Sequence, residues 1–164
     1  MKKFIILFFL MVTFASIADA QTYKYRHISN VDESGVKSKG SGTVIFVTFV
    51  DSKRLCYMSD TNGNAKSNGA GAQQVFVTTK NNVHVYKSKA EVWRDQGVTS
   101  NPFMSDPTKA AAIAWRESSG YENYKFSSDY SRLNIATRGG NSGNSTKVYE
   151  RVTSDVSEED SEMY

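Results

Sequence analysis

One cysteine, two prolines and two histidines in 164 residues exclude several familiar designs at once. With Cys56 as the sole cysteine, no disulfide can staple the chain to itself, so the fold must rest on a packed core. Cys56 lies in Arg54-Leu55-Cys56-Tyr57-Met58, beside an apolar segment, where a free thiol packs as a small hydrophobe. His27 and His84 do not share the spacing that brings two metal ligands together, and both sit among aromatics in alternating segments. No metal site and no cofactor is expected. The chain also lacks a phosphate-binding glycine loop, a G-x-S-x-G elbow and a paired-carboxylate motif, so no catalytic residues are assigned. Its lysines and arginines are scattered, which argues against a nucleic-acid footprint.

A second long hydrophobic run is missing too, and the one that exists is N-terminal. Lys2 and Lys3 precede an apolar stretch over 4–17 that only Thr13 and Ser16 interrupt, and Ala18-Asp19-Ala20 forms a small-x-small site. This is the layout of a secretory signal, with cleavage expected between Ala20 and Gln21. The stretch is too short for a comfortable bilayer span, so no integral membrane segment is expected after its removal. Position 21 is not cysteine, which disfavours a lipid anchor. The expected destination is the periplasm or the medium. At the other end, residues 154–164 carry Asp155, Glu158, Glu159, Asp160 and Glu162 with no basic residue, a composition that predicts a disordered acidic tail. Three parts result: a signal peptide over 1–20, a single β-rich domain over 21–153 and the tail over 154–164.

Period-two patterning dominates the middle part. Residues 22–28 alternate aromatic and basic side chains, as a half-buried strand does. Residues 43–50 are almost continuously apolar, which predicts a strand covered on both faces. Asp51-Ser52-Lys53 can turn this strand into 54–58. A second hairpin joins 75–79 to 83–86 across Lys80-Asn81-Asn82, where asparagine tolerates the left-handed backbone of a tight turn. Further strands are expected around Tyr124 and Phe126, around Leu133 and Ile135, and over 148–152.

Two helices interrupt the pattern. Ser88-Lys89-Ala90-Glu91 reads as a capping box opening a short helix that stops at Gly97. Asp106 can cap a second, with Pro107 at its first position and Gly120 beyond its end. Ile113 and Trp115 cannot share a face of that helix. The expected fold is mainly β (α+β): an antiparallel barrel or sandwich of about seven strands, with the helices in a crossover or as a lid on one end.

The segment that breaks the hairpin series also holds both tryptophans, Trp93 and Trp115, with Phe103 and Tyr121 close in sequence. Aromatics on a loop-rich end of a β scaffold can stack on sugars or anchor a partner, so these four are the candidate binding residues for a protein or glycan. Three alternatives stay open. A lipocalin-like barrel would hold a small apolar ligand inside. A thiol enzyme would need Cys56 within reach of His84. A subunit of a surface assembly would show an exposed, unpaired edge strand. Asp60-Thr61-Asn62-Gly63-Asn64 begins like a calcium loop, but Ala65 stands at the glycine position and Gly71 where the glutamate belongs.

Cys56-Tyr57-Met58-Ser59-Asp60 with its following glycine-bearing loop, and the run from Tyr124 to Ile135, resemble segments of small exported Bacteroidota proteins of unknown function. The resemblance implies a bacterial envelope or secreted setting and assigns no activity.

Overall fold

Tyr23, Tyr25 and His27 of the first strand are buried while Thr22, Lys24 and Arg26 between them face solvent, so the sequence alternation becomes an inside and an outside. The computed structural model describes residues 20–67 and 69–153. The expected signal segment before Ala20 and the acidic segment 154–164 lie outside the described residues. The strands are β1 (Gln21–Asp32), β2 (Lys37–Lys39), β3 (Val44–Val50), β4 (Leu55–Ser59), β5 (Gln74–Lys80), β6 (Val83–Ser88), β7 (Tyr121–Ser127), β8 (Arg132–Arg138) and β9 (Ser145–Arg151). The helices are α1 (Lys89–Asp95) and α2 (Pro107–Ser119), and single 3-10 turns cover Ala70–Ala72 and Gly140–Ser142.

The sheet runs β2-β1-β3-β4-β5-β6-β7-β8-β9 and closes through an added β1–β9 pairing, all antiparallel. Eight strands therefore form a closed up-and-down barrel, with β2 as an extra strand on its flank. Closure settles barrel against sandwich. It also corrects the strand number upward from seven and removes the crossover: α1 and α2 join β6 to β7, which are neighbours. The unforeseen strand is β2, whose Lys-Ser-Lys sequence carries no apolar signal. It exists because β1 is long and bulged between His27 and Ser29, so its second half offers an edge that β3 does not reach. Gly40 makes this return possible, since a Cβ there would lie 2.5 Å from the Ile28 carbonyl carbon.

Rings fill the barrel. Tyr25, Phe49, Tyr86, Tyr124 and Phe126 are all but inaccessible, and Leu133, Ile135, Val47 and Cys56 complete the layer. Phe126 has the ring centroids of Phe49, Tyr86 and Tyr130 at 5.1, 5.3 and 5.4 Å, mostly edge to face or tilted. Such contacts add to the burial of apolar area. The expectation that β3 is covered on both faces holds at Thr48, which points outward yet is buried. Residues 60–66 fold back over it, and its hydroxyl meets those of Thr22 and Ser59 at 2.7 and 2.9 Å. Asp60 organises this flap: its carboxylate accepts from the backbone N–H of Asn62 and Asn64 and from the Asn64 side chain. Those bonds turn the acid inward on its own loop.

The two ends of the barrel differ. One carries the tight turns: the expected left-handed backbone is present at Asn81 and Asn82, and the Asp51-Ser52-Lys53 turn adopts positive φ at all three of its residues as well. Lys53 seals this end: its Nζ donates to the Tyr23 hydroxyl at 3.0 Å and stands 4.2 Å over the Tyr130 ring. The Tyr86 hydroxyl donates back to the Lys53 carbonyl at 2.7 Å. In the β7–β8 turn, hydroxyl and backbone donors from Ser127 and Ser131 hold the Asp129 carboxyl down at about 2. The opposite end is covered by the helices.

Candidate functional site

α2 forms for the reasons its sequence gives. The Asp106 carboxylate accepts from the backbone N–H of Thr108 and Lys109, Pro107 opens the first turn, and Gly120 ends the helix at φ 98°. α1 uses half of the expected capping box. The Ser88 hydroxyl accepts from the Glu91 N–H at 3.3 Å, but the Glu91 carboxylate turns to Lys87 and Arg94. The helix stops where Gly97 adopts φ 87°.

Together the helices close the mouth of the barrel. Ala110 and Ile113 are buried on the inner face of α2, and Arg116 is buried with them at 3% exposure. Its guanidinium ties three pieces together: Nε donates to the Gly71 carbonyl at 2.8 Å, and Nη1 donates to Gly120 O at 3.3 Å and Glu122 Oε2 at 3.1 Å. Two residues on from Ile113, the helix has turned by roughly 200°, so Trp115 emerges on the outer side, 47% exposed. Its indole stands on the backbone of Gly71, where a Cβ would come within 2.9 Å of Cε3, and the Arg116 guanidinium carbon lies 4.4 Å from the ring. Beside it runs a shallow groove of about 310 Å³, lined by Ser67, Gly69, Ala70, Gly71, Thr108, Ala111, Ala112 and Trp115. Small residues keep the floor low, the indole makes a wall, and two hydroxyl residues sit among the lining.

Of the four candidate aromatics, only Trp115 lines this groove. Trp93 is half-buried on α1, with the ammonium groups of Lys89 and Lys109 at 5.3 and 5.7 Å from its ring. Phe103 projects from the α1–α2 connection at 96% exposure. Tyr121 is withdrawn from the surface, a correction to its candidacy: its side chain is buried under the Arg94 guanidinium, 4.2 Å from the ring. Sequence reading missed Gly71 and the alanines of α2. The only hint was the run Gly69-Ala70-Gly71-Ala72, which reads equally as a flexible loop.

Cys56 and His84 are not brought together. Cys56 is wholly buried at the level of Gln74, its cross-strand partner, whereas His84 pairs across with Thr79 near the turn end. The imidazole is engaged by the Thr79 hydroxyl at 2.8 Å and the Ser128 carbonyl at 3.3 Å and stacks on Tyr130. Burial pushes the Cys56 thiol well above its ordinary range, away from the thiolate that nucleophilic chemistry requires. Native protein should therefore resist maleimide labelling until denatured, and Cys56→Ser should lose about 1–2 kcal/mol through a poorly matched buried hydroxyl. Labelling of the folded protein at the denatured rate would contradict both statements. His27 is also structural, held by Ser41 Oγ at 2.9 Å and Ser29 O at 3.1 Å.

No protein-family model, curated protein or solved structure matches the chain.

Proposed function

We propose that this protein is an exported, non-catalytic binding module of the bacterial envelope or secretome, which holds a glycan or protein partner on its helical cap. The observation that carries this reading is the Trp115 groove: a half-exposed indole, fixed from below by Gly71 and Arg116, beside a floor of small residues. An indole anchored in this way offers a large apolar contact at little entropic cost, and hydroxyl groups nearby suit the polar rim of a sugar or a peptide. The cap is tied to a rigid barrel, the usual support for recognition loops. Export is supported by the signal-like segment and by the strand boundary, for β1 begins at Gln21, the residue that cleavage after Ala20 would expose.

An eight-stranded barrel can also enclose one small ligand, the lipocalin-like alternative. The ring-filled interior weighs against it, because Tyr25, Phe49, Tyr86, Tyr124 and Phe126 occupy the space that such a ligand would need.

A fluorescence titration with a panel of soluble oligosaccharides and envelope peptides tests the cap. Binding should shift tryptophan emission, and calorimetric titration, which does not rely on the fluorophore, should show that Trp115→Ala abolishes binding while changing stability by no more than about 1 kcal/mol. Undiminished binding by the Trp115→Ala protein would overturn the assignment of this groove.

A further inference from the structure

Cations that stand far apart in the sequence meet on one outer face of the barrel. Arg26 of β1 lies opposite Glu150 of β9, and Glu150 lies opposite Arg132 of β8, so three charged side chains form a row across the closing seam. Within it the Arg132 Nη2 donates to Glu150 Oε1 at 2.9 Å. Lys24 stands two residues before Arg26 on the same side of β1, and both are exposed. Beyond the β1 bulge, Ser29 and Val31 line a groove of about 470 Å³ that Lys37 and Arg132 also line. Cross-strand partners share a face, so Lys39, opposite Ser29, joins Lys37, opposite Val31. Lys24, Arg26, Lys37, Lys39 and Arg132 therefore share this face with Glu150. The groove is apolar at Ile28, Val31 and Val148, and Asn134 Oδ1 is buried there with no hydrogen-bond partner.

We propose that this face is a docking surface for the chain's own residues 154–164, whose Asp155, Glu158, Glu159, Asp160 and Glu162 seat among these cations. Charge complementarity selects this occupant. The segment carries five acids and no base, whereas the one acid in the row, Glu150, is already bound to Arg132. Position selects it too. The Val152 N–H donates to the Lys24 carbonyl at 2.8 Å, so the chain leaves β9 at the edge of the same face. Val148 of the groove lies about 13 Å back along the strand, and the stretch from Val152 to Glu158 spans up to about 20 Å. Glu158 and the acids after it thus reach the groove even after the chain reverses. Each exposed ion pair is weak alone. A tethered segment, however, meets its site at an effective concentration near millimolar, so several weak contacts act together. A seated segment also brings backbone N–H and serine hydroxyl donors to Asn134 Oδ1. This surface is separate from the Trp115 groove and does not depend on it.

Paramagnetic relaxation in the chain from Gln21 to Tyr164 tests the inference. A nitroxide label is placed through Ser161→Cys, and the buried Cys56 stays unlabelled in the folded protein. Amide signals of Val31, Lys37, Thr146 and Val148 should broaden, whereas those of Lys89, Arg94 and Lys109 on the cap should not. At about 1 M salt, where the screening length falls to about 3 Å, the broadening should drop at least about threefold. A Lys37→Glu, Lys39→Glu protein should show a similar drop with unchanged circular dichroism, since both positions are exposed. Broadening of the cap residues instead, or of no residue selectively, overturns the inference. So does broadening of this face that survives both salt and the double charge reversal, because the contact would then not be an ionic one.

Discussion

Replacing Phe126 with alanine should lower the stability of the barrel by about 4 kcal/mol, the range for removing a wholly buried ring. Phe126 stands where contributions from four strands and a turn meet, with Tyr25, Phe49, Tyr86, Tyr124 and Tyr130 all within ring-contact range. Its removal opens a space that these neighbours cannot fill by small movements. Three of them are held by hydroxyl bonds: Tyr25 donates to Tyr130 O at 2.9 Å, Tyr86 donates to Lys53 O, and the Tyr86 and Tyr130 hydroxyls meet at 3.2 Å. A site that cannot collapse retains its cavity, and the penalty grows with the cavity that remains. Urea unfolding followed by circular dichroism measures the loss. Phe103→Ala, at an exposed position, is the control and should change stability by less than about 0.5 kcal/mol. A loss below about 1 kcal/mol for Phe126→Ala would mean that the interior is far looser than these contacts describe.

Arg116→Leu should be the next most damaging change, at about 3 kcal/mol, and its effect should concentrate in the cap. The substitution keeps apolar bulk but removes all three donor contacts. The Gly71 and Gly120 carbonyls are then left without their donor, and Glu122 loses its cation. Leaving buried acceptors unmade is more harmful than the net worth of the bonds. Amide exchange should accelerate along α2 while the barrel strands change less. Arg116→Lys should recover only part of the loss, because one ammonium cannot reproduce the fork that spans two loops and a strand. Equal acceleration of exchange in α2 and in β7 would show that the cap and barrel unfold as one unit.

Much of the barrel was legible because its signals are local. Asn81-Asn82 forms its turn, Asp106-Pro107 opens its helix, and Tyr23 to His27 alternate as strands do. The failures share a cause, which is that neighbours distant in sequence decided the outcome. Lys37–Lys39 becomes a strand only because β1 outruns β3. Glu91 abandons its capping box for the cations of Lys87 and Arg94. Tyr121 disappears beneath Arg94. For the candidate site, the opposed faces of Ile113 and Trp115 could be read from helical geometry, and the structure buries one and exposes the other. The backbone on which Trp115 rests comes from a glycine more than forty positions earlier, and no pattern in the sequence announced it.

The seam between β1 and β9 has a consequence for the order of events. Tyr25 pairs with Arg151, so the first strand of the barrel waits for the last before either is complete. Every other adjacent pair is joined by a turn, a loop or, between β6 and β7, the helical cap, whereas this one closes a loop that spans the whole domain, the slowest kind of contact to make. A chain emerging from its N-terminus therefore cannot complete the β1–β9 ladder until residue 151 is free. Closure of this seam is the pairing expected to form last, and truncation before β9 should leave an unlocked sheet with two raw edges.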